Sequence, residues 1–338
     1  MATAKKLPSG NWRVRVYDKK ADKYKSFTAS TKKQAELMAV EYLNGLRISK
    51  SQITVKQAVE NYIASKDKTL SVSTIRGYEI IKKNAIEEIK DIKLCDIDEV
   101  ILQKWANKNA EAYSAKSIRN QYGLITASLK QNKINLDFKS VLLKPKQKKE
   151  MLIPTLTEMK KIIEVTKNTK IETAILLALL LGLRRSEICA LKWSDYDGEK
   201  IHIHSAVVID KNNKTVIKNT NKSYAGTRVL AVPDILKASL DNQERSGDFI
   251  VNITKPGRLL ERFHSICEKK GLPKFTIHSL RHANASLMLL QGVPDKYAME
   301  RLGQATNNML KNVYQHTFKN EQEKISDSLN NKFNEIIK

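Results

Sequence analysis

Cysteine is scarce: three residues in 338, at Cys95, Cys189 and Cys267. They are scattered, odd in number and without C-x-x-C spacing, which excludes a disulfide framework and points to reduced, buried thiols. Long apolar runs are also missing. The longest, Ala174 to Leu181, falls far short of the ~20 residues a spanning helix needs. The first residues, M-A-T-A-K-K-L-P, contain no apolar signal core, so a cytoplasmic protein with no membrane partner is expected. Histidine is sparse, and His202 and His204 lie on an alternating stretch that reads as an exposed strand face, so no metal site is expected. Acidic residues are in deficit, 36 against 60 Lys+Arg, giving a net charge of +24. A chain this basic, with a pI near 9.7, calls for a polyanionic partner, nucleic acid before membrane. Its length allows two or three domains with real cores.

The chain is expected to be multidomain and mainly α with small β parts. Residues 1–50 read as a module of their own. Trp12, Val14 and Val16 alternate with Arg13 and Arg15, Ser9-Gly10 marks the preceding turn, and Tyr24 to Thr28 is a further short strand. Thr31 then caps a helix with Ala35, Met38, Ala39, Tyr42 and Leu46 on its apolar face. A small three-stranded sheet on one helix results, with one apolar face and one basic face suited to a DNA groove. Ile48 to Thr54 reads as a polar joint. Residues 54–140 are helical throughout, in four helices: a stripe at Val55, Val59, Tyr62 and Ile63, then runs opening at Ser73, spanning Ile97 to Trp105, and spanning Ser117 to Gln131. Arg76 and Arg119 stand among many basic residues here that suit phosphate contacts. Residues 141–153, with K-P-K-Q-K-K-E inside them, read as an interdomain linker.

Residues 154–338 carry the chemistry. Thr157 is a plausible cap for a first helix, and Ile171 to Leu181 is apolar on every side, so it belongs in a core. It ends at Gly182, followed by L-R-R-S-E-I, in which Ser186 or a neighbour caps the next helix, carrying Ile188, Leu191 and Trp193. Three strands follow: Ile201 to Ile209, Thr215 to Lys218 and Thr227 to Val232. Further on, T-I-H-S-L-R-H puts His278, Arg281 and His282 at i, i+3 and i+4, one face of a helix. Gly292 and Gly303 end helices, Pro294 suits the start of the second, and Tyr314 stands alone beyond, with His316 just after it. Two histidines, an arginine and an isolated tyrosine suit an anionic phosphate and a nucleophile better than a core.

These boxes resemble the tyrosine recombinases, also called phage-type integrases. G-x-R-x-x-E at Gly182 to Glu187, H-x-L-R-H at His278 to His282, Leu302-Gly303-Gln304 and then Tyr314 follow that family's order. The resemblance implies an arm-type DNA-binding module, a helical core-binding domain of SAM-like fold and a mixed α/β catalytic domain. It implies Arg184, Arg281 and His278 at a scissile phosphate, Glu187 and His282 in support, and Tyr314 as nucleophile. Lys222 becomes the hairpin lysine that protonates the leaving group, since K-S-Y-A-G-T-R precedes the last strand at Arg228; Lys218 is the reserve. No metal and no cofactor are implied. The implied partners are double-stranded DNA at attachment sites, three further copies of the chain, and possible host DNA-bending and excision factors. The polar tail from Phe318, striped by Ile325, Leu329, Phe333 and Ile336-Ile337, is implied to pack on a neighbouring subunit.

One position departs from the pattern: Gln304 stands where the family usually has histidine. Glutamine can donate a hydrogen bond but cannot titrate, so slower chemistry is expected. A catalytically weakened, architectural DNA-binding protein of the same fold is the alternative. A relaxing topoisomerase fits the arm-like module and tail less well.

Overall fold

The computed structural model describes residues 3–18, 22–146, 152–219 and 226–306, with single tail positions 332, 334 and 335, and for 44–51 the backbone alone. The chain divides into two compact units, Met1–Gln147 and Lys148–Lys338. Among the described residues no helix is long and apolar enough to cross a membrane.

The first unit begins with strands β1 (Lys5–Lys6), β2 (Trp12–Asp18) and β3 (Lys23–Ala29), antiparallel in that order, and helix α1 (Lys32–Ser51). Alternation along β2 has the expected result: Val14 and Val16 are buried with Ala35 and Ala39 of α1, while Arg15 and Tyr17 face solvent. Arg13 pairs with Thr28, Arg15 with Ser26 and Tyr17 with Tyr24, whose rings lie 5.1 Å apart. Thr31 caps α1 by accepting from the Gln34 amide. Met38, expected on the apolar face, is exposed, while Tyr42 turns inward and donates to Asp18 at 2.6 Å. The helix also runs through 48–51, where a polar joint is expected. Nothing in that stretch breaks a helix, and a polar sequence alone does not end one.

Four helices follow: α2 (Val55–Lys66), α3 (Val72–Asn84), α4 (Glu99–Ala112) and α5 (Ala115–Gln131). Thr54, Ser71, Asp98 and Ser114 each accept a hydrogen bond from a first-turn amide, which fixes where each helix starts. The core joins Val55, Val59, Ile63, Ile75, Leu102, Ile118 and Leu129 around Trp105, whose indole donates to the Ala85 carbonyl at 2.7 Å. α4 continues two turns past the expected end at Trp105, because Ala106, Asn109 and Ala110 keep its inner face small and buried or half-buried. The first residues of the expected linker are fastened to this core. Val141 is buried, Leu142 exchanges two hydrogen bonds with Gln103, and Lys144 donates to the Ala110 and Tyr113 carbonyls ending α4.

In the second unit α6 (Leu156–Thr166) is capped by Thr155 in a reciprocal bond with Glu158, not by Thr157 as expected. Helix α7 (Glu172–Leu180) is buried on every side, as its uniform apolarity requires. The short α8 (Arg185–Ile188) and a 3-10 turn at Trp193–Asp195 lead to the strands. The stretch expected as one long strand is two, β4 (Lys200–Ile203) and β5 (Ser205–Ile209), broken at His204. Its ring bonds Asp195 at 2.8 Å, so the chain turns to pair β4 with β7 (Arg228–Ala231) and β5 with β6 (Thr215–Asn219). Helices α9 (Asp234–Asp241), α10 (Pro256–Lys269), α11 (Ile277–Leu290) and α12 (Asp295–Leu302) complete the unit. Cys189 and Cys267 lie in its core, whereas Cys95 of the other unit is exposed, against expectation, on a short loop.

Candidate active site

Two chain reversals and one helix start build the site. α7 stops at Leu181, and Gly182 takes a left-handed conformation at φ 64° that turns the chain back. Arg184 follows, just ahead of α8. Glu187 accepts from the Arg184 main-chain amide at 2.8 Å and from its guanidinium Nη1 at 2.7 Å. Ser186 is not the cap. Arg228, at the start of β7, forks onto the same carboxylate, Nη2 to Oε2 at 2.9 Å and Nη1 to Oε1 at 3.3 Å. Burial alone would raise the Glu187 pKa. The hydrogen bonds and charge of Arg228, then Arg184, outweigh it and hold the carboxyl below the usual range.

Helix α11 begins at Thr276, whose hydroxyl accepts from the Ser279 amide. Arg281, one turn in, is fully buried and donates to the carbonyls of Gly182 and Leu302. Asn284, a turn further, ties the end of α7 through the carbonyls of Leu179 and Leu180. Helix α12 ends at Gly303, left-handed at φ 61°. Here three successive carbonyls each receive one arginine: Arg301 from Arg228 Nε at 2.8 Å, Leu302 from Arg281, and Gly303 from Arg184 Nη2 at 2.8 Å. A helix C-terminus carries partial negative charge, so it suits a cluster of cations. Arg281 lies beside the charges of Arg184 and Arg228, but burial is the largest cause that lowers its pKa, to about 9; it stays charged at neutral pH.

His278 lies on the exposed side of the same turn, its ring 4.5 Å from that of buried His282 and edge-on to it. Partial burial, then Arg281, Arg184 and Arg185, lower the His278 pKa and favour the neutral ring. The arrangement offers a half-exposed guanidinium at Arg184, a rigid buried one at Arg281 and a neutral imidazole. Such a group can hold a phosphate and handle one proton.

Residues 153–321, half of the chain, match the phage integrase family, and 54–109 match the phage integrase N-terminal SAM-like domain. The chain belongs to the phage integrase family. A relative called tyrosine recombinase XerC-like, from Caldanaerobacter subterraneus subsp. tengcongensis, is 26% identical over 91% of this chain and 92% of its own. The integrase of Staphylococcus phage L54a is 24% identical over 76% of this chain and 84% of its own. The fold matches that of a lambda integrase dimer bound to a core site, with TM-score 0.63, 18% identity, and coverage of 92% of this chain and 94% of that one. It also matches the Tn1549 transposon integrase in complex with circular intermediate DNA, with TM-score 0.66, 18% identity, and coverage of 81% and 100%.

Within this integrase fold, the structure gathers Arg184, Glu187 and Arg281 into one cluster. His278 and His282 flank it, and Gln304 follows Gly303 directly, its main-chain N–H donating to the Met299 carbonyl. Lys222, Tyr314, His316 and the striped tail lie outside the described residues. Lys218, the reserve lysine, sits on β6 opposite Ala206. Arg13, Arg15, Arg76 and Arg119 belong to the other unit. Arg119 uses Nη1 to hold the Ala115 and Lys144 carbonyls, a structural tie beside any contact with DNA. Sequence reasoning used Arg228 only as a landmark and missed Asn284. The signal for Arg228 was a single charged residue opening an otherwise apolar strand, Val229-Leu230-Ala231.

Burial, then His278 and Arg281, push the His282 pKa from 6.5 down to about 4. The folded ring stays neutral where the unfolded one takes a proton. The associated stability is therefore present above pH 6.5 and lost as pH falls through 4, a change of about 3 kcal/mol. Urea unfolding at pH 8 and pH 4 should show at least that difference, and His282→Gln should reduce it by about that amount. An equally steep acid loss in the variant would assign the effect to other groups.

Proposed function

We propose that the chain is a site-specific DNA recombinase that integrates or excises a mobile element through a 3′-phosphotyrosine intermediate. The observation that carries this reading is the convergence of Arg184 and Arg281 on one helix end, at Leu302 and Gly303, shortly before Tyr314 in sequence. On this reading the Tyr314 oxygen attacks the scissile phosphorus and the 5′-oxygen leaves. Arg184 and Arg281 neutralise the non-bridging oxygens as charge develops. A phenol with pKa ~10 needs its proton removed, and the neutral His278 ring is read as the group that accepts it. Lys222 protonates the departing 5′-oxygen. In the second step a 5′-hydroxyl from another strand attacks the phosphotyrosine and releases Tyr314, so the bond energy is conserved and no cofactor is required.

Lambda integrase has been resolved as a dimer on a core site and a tetramer on a Holliday junction. That supports four copies of this chain acting on paired DNA sites. The domain plan proposed is an arm-type module at 1–50, a core-binding domain at 54–140, a linker over 141–153 shortened by its docked start, and a catalytic domain at 154–338. The deciding experiment incubates the full chain with nicked suicide substrates from its own element's ends. A denaturant-resistant adduct with phosphate on Tyr314 supports the reading. DNA binding without any adduct would favour the architectural alternative.

Removing residues 1–50 should leave cleavage of a core-site substrate intact and impair recombination that needs a second, distant site, because the sheet presents its own basic face. Equal recombination by the truncated chain would sink that role.

Gln304 is read as one hydrogen-bond donor to the phosphate. Gln304→His should maintain or raise the single-turnover cleavage rate, and Gln304→Ala should lower it about 10-fold, the effect of losing ~1.4 kcal/mol. Binding to uncleaved DNA should barely change, since many other cations hold the backbone. Equal rates for glutamine and alanine would make the side chain a spectator.

A further inference from the structure

Arg228 plays no part in the steps above, and its surroundings show why it should. Its side chain is 4% exposed and faces a carboxylate that is 2% exposed. All three of its nitrogens are engaged: Nη2 and Nη1 on Glu187, Nη1 also on the Gly226 carbonyl at 3.3 Å, and Nε on the Arg301 carbonyl. It is enclosed and committed, so it is not a phosphate ligand. It does join two things that the reaction must align. One is Glu187, which holds Arg184 at both its main chain and its guanidinium. The other is the last turn of α12, after which the chain continues to Tyr314.

We propose that Arg228 is a positioning residue for strand cleavage, setting Arg184 through Glu187 and the exit of α12 through the Arg301 carbonyl. The inference rests on the recombinase reading. Its physical basis is competition for charge. Each Glu187 oxygen is bridged, Oε1 between Arg184 Nη1 and Arg228 Nη1, and Oε2 between the Arg184 amide and Arg228 Nη2. With Arg228 present the carboxylate is neutralised from the protein side, and Arg184, whose side chain is 36% exposed, remains available at the surface. Without it, a buried carboxylate would face Arg184 alone. It would then draw that guanidinium inward, away from the phosphate, or take up a proton and release it.

The test measures core-site DNA affinity and single-turnover adduct formation on a suicide substrate, using the full chain. The proteins are the wild type, Arg228→Lys, Arg228→Met and Arg228→Met/Glu187→Gln. Lysine can meet Glu187 but cannot also reach the Arg301 carbonyl with the same geometry. Arg228→Lys should therefore bind DNA within about threefold of the wild type and cleave about 100-fold more slowly, the scale of a misplaced reactive group. Arg228→Met should show an acid limb in its rate at higher pH than the wild type, as Glu187 protonates more readily. The double variant, which leaves no buried carboxylate without its arginine, should fold, lose that limb and remain slow. Wild-type cleavage by Arg228→Lys, or full recovery in the double variant, overturns the proposal while leaving the recombinase reading intact. So does a rate loss matched by the loss of folded protein in hydrogen exchange. A wild type that forms no adduct removes the recombinase reading itself, and this inference with it.

Discussion

Replacing Tyr314 with phenylalanine is expected to abolish covalent attachment to DNA while leaving affinity for a core site within about twofold. The substitution removes one oxygen and keeps the ring, so packing and the basic surface are unchanged. On the proposed reading only the nucleophile is lost, and a phenyl ring offers no oxygen to attack the phosphorus. The arginines would still bind and polarise the phosphate, yet without an attacking oxygen the strand stays whole. Tyr297→Phe is the matched control. Tyr297 is 62% exposed on α12, the other tyrosine close in sequence to the Leu302-Gly303-Gln304 box, and its loss should leave adduct formation at the wild-type rate. Denaturing gels of a labelled suicide substrate separate the outcomes. An adduct that survives Tyr314→Phe and disappears in Tyr297→Phe would move the nucleophile to α12.

The site boxes were legible because each is a local event. Gly182 and Gly303 end helices with a backbone that side chains disfavour, and the i, i+3, i+4 spacing on α11 follows from helical period alone. The four core-binding helices were legible as helices from their apolar residues, but their starts were not: the caps are Ser71, Asp98 and Ser114, where openings at Ser73, Ile97 and Ser117 were expected. What stayed hidden depends on partners far along the chain. The strand break at His204 is set by Asp195 across a turn, where alternation alone suggests a continuous strand. The cap at Thr155 is different: its partner Glu158 is only three residues on, so the T-x-x-E box was there to be read although the expected cap was Thr157. Lys144 reads as linker charge until it is found on the carbonyls at the end of α4. Arg228 is the extreme case. Its carboxylate lies 41 residues earlier and its carbonyl 73 later, and only the folded chain brings both to one guanidinium.

The same long-range crowding makes Gly182→Ala a severe change for a single methyl group. A β-carbon there would stand 2.6 Å from the Leu302 side chain and 2.9 Å from the Asn284 side-chain oxygen. Neither neighbour can yield cheaply. Leu302 is fully buried, and Asn284 is held by its bonds to the Leu179 and Leu180 carbonyls. The backbone at φ 64° adds a left-handed penalty of about 1–2 kcal/mol for any L side chain. Overpacking adds about 1–3 kcal/mol more. The catalytic unit should therefore lose about 2–5 kcal/mol, and the Arg281 bond to the Gly182 carbonyl should be strained or broken. Gly292→Ala separates the two causes. It has a similar φ of 67° with nothing within 4 Å of its β-carbon, so it should cost the backbone penalty alone. Peptide-resolved hydrogen exchange across urea concentrations reads the stability of α7 and α11 in the full chain. Similar losses for the two variants would show that the junction of α7, α11 and α12 is loose enough to admit a methyl group. A markedly larger loss at Gly182 would show that the arginines of the site rest on a joint with no room to spare.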